Sequence, residues 1–208
     1  MIQIDRRRYR LTGITPLLGS QPANPDVRGT YIASKAPTEE MGDAETGMLP
    51  EDRDKGLTVF LRREADDALC IMDYVLGGYF KGAVKAMAHY NKVKQAESKV
   101  GLYVFVNPRV IPIMRNDAPV YEEDGELQRS LRAQTMQGPR TTWTGSEMVN
   151  APWSIEFEVE LMDNDGTPKS AAITWDVIES ALDYGRLKGL GQWRNGGYGR
   201  FSWERIDA

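Results

Sequence analysis

An almost strict alternation of apolar and polar residues between positions 153 and 162 predicts a β-strand. Successive side chains of a strand point to opposite faces of its sheet, so the two residue types separate onto two faces. We expect the apolar face to pack on the core and the acidic face to contact water. The apolar set is Trp153, Ile155, Phe157, Val159 and Leu161, and the acidic set is Glu156, Glu158 and Glu160.

Similar patterns predict three further strands and two amphipathic helices. In the helices, apolar residues recur at spacings of three to four, and we expect the first helix to begin directly after Gly77-Gly78. Thr174 is the expected N-cap of the second helix. The chain order is βαβ, repeated, which predicts an α+β fold with a ferredoxin-like (RRM-like) core and two helices on one face of the sheet. The strands lie near 8–15, 102–107 and 200–206, and the helices near 78–92 and 174–186.

Two segments fall outside this repeated pattern. Residues 20–56 are rich in Pro, Gly, Asp and Glu and have little periodicity, so we interpret them as a long loop insertion. Residues from about 110 to 150 are interpreted as a hairpin insertion, with Asp124-Gly125 as a polar turn. The chain has 208 residues and is 41% hydrophobic, enough to bury one core. We predict a single domain, 1–208, that carries both insertions.

Charge and hydropathy narrow the class of protein. The net charge of −4 argues against a protein that coats nucleic acid through a general basic excess. The acids are clustered, however: residues 39–54 contain seven acids and one arginine, which leaves room for a basic face elsewhere. The longest apolar stretch, 68–75, is too short for a membrane span, and the N-terminal arginines are not followed by the apolar segment that a signal peptide needs. We expect a soluble, cytoplasmic protein without membrane contact.

The segment 189–201 is the main candidate for a binding site. It contains five glycines, whose backbone can approach a ligand closely or adopt positive φ. Its arginines can pair with phosphates and its aromatic rings can stack on bases, a mixture that favours a nucleic-acid backbone over a small metabolite. The alternative is a glycine-rich hairpin that only packs on the preceding helix. The candidate nucleic-acid-binding residues are Gly191, Trp193, Arg194, Gly197, Tyr198, Gly199 and Arg200.

A second candidate lies at the predicted start of the first helix. Exposed amides at a helix N-terminus favour anions, and Lys81 and Lys85 lie one turn apart on the same side. Gly78, Lys81 and Lys85 are therefore further candidates for nucleic-acid binding. The alternative is a tight turn followed by ordinary surface lysines.

Candidates for catalysis are weak. His89 is the single histidine, which excludes a centre built from several histidines, and its place late in a helix is typical of a solvated helix end. Asp43 and its acidic neighbours up to Asp54 could bind a divalent ion, but a solvated acidic loop explains them better. We expect no metal centre and no cofactor, and favour a non-enzymatic protein over an enzyme; His89 and Asp43 are the weak catalytic candidates.

Three segments resemble the RAMP superfamily, the RNA-binding backbone subunits of CRISPR effector complexes. Leu11 to Ser20 resembles the first strand and turn of that family, and 189–201 resembles its glycine-rich loop between the second helix and the last strand. Gly77 to Lys85 is similar to its Gly-Ser-Ser-x-Lys-Gly-Ala-hydrophobic-Arg helix start. Here Tyr79 and Phe80 replace small residues and Lys85 stands for the arginine.

The resemblance implies binding of single-stranded RNA, or as a second choice DNA, by the two glycine-rich segments. It also implies other protein subunits, or further copies of the chain, as partners. The acidic composition and modest length differ from a conventional crRNA-coating subunit, and for the family's catalytic aspartate Asp43 is only a positional match. A phage or mobile-element relative with a changed role would explain both departures. The alternatives are a protein-interaction or assembly protein of a phage or mobile element, and a metal-dependent nuclease that uses the acids of 43–54.

Overall fold

The computed structural model describes residues 3–23, 57–135, 138–162 and 172–206. The strands are β1 (Ile4–Gly13), β2 (Leu17–Leu18), β3 (Gln21–Pro22), β4 (Leu57–Val59), β5 (Leu61–Arg62), β6 (Leu69–Met72), β7 (Val104–Asn107), β8 (Val110–Pro112), β9 (Met114–Arg115), β10 (Ala118–Pro119), β11 (Gly125–Thr135), β12 (Gly138–Val149), β13 (Ser154–Met162) and β14 (Phe201–Arg205). The α-helices are α1 (Asp73–Ala86), α2 (Ala88–Asn91), α3 (Ala96–Tyr103), α4 (Trp175–Asp183) and α5 (Gly185–Lys188), and a 3₁₀ turn spans Arg194–Gly196.

The central sheet has the strand order β14-β1-β13-β7, and all neighbours are antiparallel. Tyr9 of β1 lies opposite Phe157 of β13, and Leu11 lies between Ile155 and Trp203 of the two adjacent strands. With α1 between β1 and β7, and α4 between β13 and β14, this is the βαββαβ arrangement of a ferredoxin-like fold. The predicted α+β, ferredoxin-like class is confirmed.

The core lies between this sheet and the two long helices. The apolar set of β13 is buried, as its alternating pattern predicted. Tyr79 and Phe80 of α1 and Ile178 and Leu182 of α4 complete the same core. All four side chains are at most 1% exposed. The Tyr79 hydroxyl donates a hydrogen bond of 2.6 Å to the carbonyl of Ala181, which ties α1 directly to α4.

The first predicted helix begins earlier than expected. α1 starts at Asp73, so Gly77 and Gly78 lie in its second turn and do not precede it. Each interior glycine costs a helix about 1 kcal/mol relative to alanine. Burial of Leu76 and Phe80, which flank the two glycines in the same helix, offsets this cost, at about 1.5–3 kcal/mol for each large apolar side chain. Tertiary packing therefore overrides the local signal of the two glycines.

Two other boundaries also differ from the sequence prediction. Residues 102 and 103 belong to the end of α3, an eight-residue helix in which only Ala96 and Val100 are buried, so that the periodicity did not indicate it. The predicted helix at 78–92 divides at Met87 into α1 and the short α2. Thr174 is the N-cap of α4, but its side chain makes no capping hydrogen bond.

The segment from 110 to 150 contains two hairpins, and neither turns at Asp124-Gly125. The first joins β9 to β10, and the second joins β11 to β12 in a register that runs from Gly125 opposite Met148 to Thr135 opposite Gly138. Asp124 instead fixes the start of β11, because its carboxylate accepts from Arg115 and from the amide of Asn150. Most of the predicted 20–56 insertion lies outside the described residues; at its ends Gln21 of β3 pairs with Val59 of β4. The division into one domain stays a prediction.

The open face of the central sheet, away from the helices, carries cross-strand ion pairs. Arg6 Nε lies 2.8 Å from Glu160 Oε1, and Arg10 Nη2 lies 2.5 Å from Glu156 Oε1. Arg8, between them, reaches Glu156 at 3.7 Å. Positive charges of β1 are thus neutralised by β13 within the sheet itself.

Candidate nucleic-acid interface

The glycine-rich segment 189–201 is a tightly folded loop, and contacts within the chain explain several of its glycines. Gly191 and Gly199 have φ of 76° and 69°, in the left-handed region that side chains disfavour. A Cβ atom on Gly191 would lie 2.7 Å from the carbonyl oxygen of Leu18, and one on Gly199 would overlap the carbonyl of Leu190. The fold of the loop therefore requires glycine at both positions, whatever they bind. Their direct part in nucleic-acid binding stays a prediction.

Thr15, in the turn after β1, holds this loop in place. Its hydroxyl donates to the carbonyl of Gly197 and accepts from the amide of Arg200, both at 2.9 Å. The amide of Ile14 also donates to the carbonyl of Arg200, at 2.7 Å. Thr15 was not a predicted site residue, although it lies in the Leu11 to Ser20 segment that resembles the RAMP family. That segment and the glycine-rich loop form one structural unit.

The aromatic side chains of the loop stack on each other. The rings of Trp193 and Tyr198 are 5.3 Å apart between centroids and tilted by only 18°. Trp193 has φ of 47°, a conformation that is uncommon for a bulky residue, and its side chain is 40% exposed. One face of each of these two rings therefore already stacks within the loop, which leaves less aromatic surface for bases.

Arg129, which the sequence did not point to, also contacts Trp193. Its guanidinium carbon lies 4.9 Å from the Trp193 ring centroid, within the range of a cation–π interaction. Its Nη1 donates to Ser146 Oγ at 3.2 Å, across the β11–β12 hairpin. Burial lowers the pKa of Arg129, and the nearby Tyr198 hydroxyl acts in the opposite direction. The hairpin is therefore joined to the glycine-rich loop through one arginine.

Arg194 brings the loop onto α1. Its Nη1 would lie 4.0 Å from a Cβ atom on Gly82, so the half-buried guanidinium rests above that glycine. Burial raises the pKa of the nearby Tyr79 hydroxyl, while the positive charge of Arg194 acts to lower it. Lys81 and Lys85 are exposed on the same helix, one residue before and three after Gly82. The two predicted binding segments therefore meet on one side of the molecule.

The lysines of α1 face α3. A Cβ atom on Gly101 would lie 2.9 Å from Lys81 Cε, and Lys85 Nζ lies 3.0 Å from Glu97 Oε2. Both members of that ion pair are substantially exposed, so the pair contributes at most about 1 kcal/mol. Arg200, the remaining predicted cation, is exposed beside Gly197.

Gly78 does not form the anion-binding helix start that the sequence suggested. It is the sixth residue of α1, where backbone amides donate to carbonyls four residues earlier. The true start carries Asp73, whose carboxylate accepts from the Tyr74 amide at 2.7 Å and lies 3.4 Å from Arg109. Burial raises the pKa of Asp73 and Arg109 opposes that shift. An acidic group at this helix start disfavours a second anion there.

The catalytic candidates are not brought into this site. His89 is exposed in α2, and Asp43 lies outside the described residues together with the other acids of 43–54. Among the residues that the structure describes, no three His, Cys, Asp or Glu side chains are grouped so that they could hold a metal ion. Within the same ranges, no helix has the length and apolar character needed to cross a membrane.

The sheet order and the two helices on one face define a ferredoxin-like α+β protein. No family model matches the sequence, and no relative is found among curated proteins. A solved structure described as a Type IV-B CRISPR complex contains a chain that aligns with 98% of this chain and 91% of its own length, at 9% identity and a TM-score of 0.50. That likeness shows a shared fold.

A second solved structure is the cryo-EM structure of the Type III-B Cmr-beta bound to cognate target RNA. One of its chains aligns with 99% of this chain at 10% identity and a TM-score of 0.45. This chain spans 60% of the length of that neighbour.

Proposed function

We propose that this chain is a RAMP-like, non-enzymatic module that binds single-stranded RNA as part of a larger protein assembly. The observation that carries the proposal is the position of Arg194 above Gly82, which lies in sequence between the exposed Lys81 and Lys85 of the same helix. An arginine from the glycine-rich loop and two lysines from α1 thus share one surface. Such a surface suits a polyanion, because arginine binds phosphate through several donors and lysine acts as a mobile point charge.

The form of the surface favours a single strand. The cations lie on a loop and along one side of a helix, where they can follow a flexible backbone. The choice of RNA rests on the resemblance of three segments to RAMP proteins. The aligned chain from a Type IV-B CRISPR complex supports an extension of the proposal, that this chain also works beside other subunits. DNA is the second choice of ligand.

The direct test is binding of labelled single-stranded RNA by fluorescence anisotropy over a series of salt concentrations. Arg194→Ala with Arg200→Ala should weaken binding, because two phosphate contacts are lost. The slope of log affinity against log salt should fall by about 1 to 1.5, at roughly 0.7 per contact on a single strand. An unchanged slope would contradict the proposal, and DNA of the same sequence, measured in parallel, tests the choice of RNA.

Gly82→Glu tests whether the contact between Arg194 and α1 forms part of the binding surface, and it leaves the sequence of the glycine-rich loop unchanged. The new carboxylate would lie beside Arg194 and neutralise it, so RNA affinity should fall several-fold while α1 is retained. Gly82→Gln adds a side chain of the same size at the same position without the charge and is the matched control. Equal affinity losses in the two variants would indicate only a steric effect of the new side chain. If the purified protein carries no nucleic acid, binds no single strand and forms a stable protein complex, it is an assembly protein instead.

A further inference from the structure

The helices α1 to α3 carry a local excess of positive charge that extends beyond the site described above. Between positions 81 and 99 there are five lysines and one acid, Glu97, although the whole chain has a net charge of −4. Lys92 and Lys94, in the turn between α2 and α3, are exposed. Neither lysine was a candidate binding residue in the sequence prediction.

The geometry makes this charge continuous with the Arg194 contact. α1 and α3 run antiparallel, since Lys81 lies beside Gly101 and Lys85 pairs with Glu97. The segment between α2 and α3, which contains Lys92 and Lys94, lies about one helical turn further along the same pair of helices. At 5.4 Å per helical turn, these lysines lie about two turns, or roughly 11 Å, beyond Lys81.

An exposed aromatic ring lies in the short helix between the lysines of α1 and Lys92. Tyr90 of α2 is 87% exposed, and it lies in sequence between Lys85 and Lys92. Trp193 and Tyr198, in contrast, already stack on each other. Cations that follow a backbone, with an open aromatic face between them, are the combination that binds single strands without base preference.

We propose that single-stranded RNA continues from the Arg194–Gly82 contact along α1 and α3, with a base stacked on Tyr90 and phosphates held by Lys92 and Lys94. This inference rests on the proposed function and defines the path of the strand on that site. Lys85 exchanges its exposed partner Glu97 for a phosphate, at the small cost of breaking a surface ion pair. A short oligonucleotide fills only the Arg194 end of the path, and a longer one reaches both ends.

The test compares homopolymeric RNAs of about 3 and about 12 nucleotides, because the shorter RNA cannot reach both ends of the path and the longer one lies within the range of site sizes known for single-strand binders. Wild-type affinity should rise steeply with length. Lys92→Gln with Lys94→Gln, and separately Tyr90→Ala, should reduce affinity for the long RNA about tenfold and leave the short RNA within about twofold. Arg6→Gln with Arg8→Gln removes the same charge from the opposite face of the sheet and should change neither affinity.

The outcomes separate this inference from the proposed function. Suppose that binding of the short RNA depends on Arg194, but substitution of Lys92, Lys94 or Tyr90 does not change the affinity for the long RNA. The proposed path is then wrong and the proposed function stands. If the wild type binds neither RNA, both fail. If polyglutamate displaces the long RNA at equal concentration of charge, the surface fits an acidic protein partner and the inference is overturned.

Discussion

The guanidinium carbon of Arg129 lies 4.9 Å from the ring centroid of Trp193, and this contact joins the β11–β12 hairpin to the glycine-rich loop. We predict that Arg129→Ala and Trp193→Ala are coupled, because each removes the same cation–π interaction. A double-mutant cycle in urea unfolding should give a coupling energy of about 1 kcal/mol. Strictly additive effects would show that the contact contributes nothing to stability. Arg129→Lys keeps the charge without the planar guanidinium and should be intermediate.

Two glycines of the candidate site should respond to alanine in opposite directions. Gly199 has positive φ and a Cβ there would overlap the Leu190 carbonyl, so Gly199→Ala should destabilise the protein by about 1–3 kcal/mol. Gly78 lies exposed in α1 with no other atom within 4 Å of its Cβ position. Gly78→Ala should therefore stabilise the protein by up to about 1 kcal/mol.

The same Gly78→Ala variant decides how Gly78 relates to RNA. As an exposed helix-interior residue it should leave RNA affinity unchanged. A large loss of affinity with intact folding, measured by anisotropy and circular dichroism, would mean that the Gly78 backbone contacts the ligand after all.

The hydrogen bond from Tyr79 to the Ala181 carbonyl should be measurable in stability. Tyr79→Phe keeps the buried ring and removes the donor, so the free energy of unfolding should fall by about 1 kcal/mol. Tyr90→Phe removes the same hydroxyl at an exposed position and is the matched control. Equal stability of both variants and the wild type would show that this bond contributes little to the packing of α1 on α4.

Acid should weaken the junction before the β11–β12 hairpin. The hydrogen bond from Arg115, helped by the Asn150 amide, holds the pKa of Asp124 below its ordinary value. As the pH falls, the unfolded chain takes up this proton first. The stabilisation is therefore complete above the ordinary carboxyl pKa of about 4 and is lost as the pH falls through the lower folded-state pKa.

Urea unfolding at a series of acidic pH values tests this assignment. Asp124→Asn should remove part of the loss of stability that the wild type shows on acidification, and Arg115→Gln should have the same effect. Unchanged pH profiles in both variants would place the acid sensitivity in other carboxylates.

The central fold was accessible from sequence because each of its strands has one buried and one wet face. The alternation in β13 predicted Ser154–Met162 to within one residue, and the stripe of apolar residues in α4 predicted Trp175–Asp183 with a similar start. A periodic pattern of this kind reflects burial directly. The predicted start of α1 was wrong. Two adjacent glycines are unfavourable inside a helix and indicated a boundary, but the packing of Leu76 and Phe80 on the core keeps this segment helical.

The candidate site was accessible only in part. Its loop and its lysines stood out by composition, since glycine, arginine and aromatic residues are rarely so concentrated. Arg129 and Thr15 could not be predicted in this way, because their roles arise from contacts with residues 64 and 182 positions away in the chain. A local pattern carries no record of such pairs, and only the packed structure brings them together.

The ion pairs between β1 and β13 have a consequence for how a ligand approaches the molecule. Because the arginines of β1 lie against glutamates, their charges largely cancel on the open sheet face, whereas residues 81–99 of α1 to α3 carry five lysines and one acid. Under the proposed function, a polyanion in solution is then drawn towards these helices and arrives already oriented. Such steering acts on the association rate, which should fall steeply with ionic strength. The sheet pairs thus contribute to selectivity by neutralising positive charges that would otherwise compete for the ligand on the open sheet face.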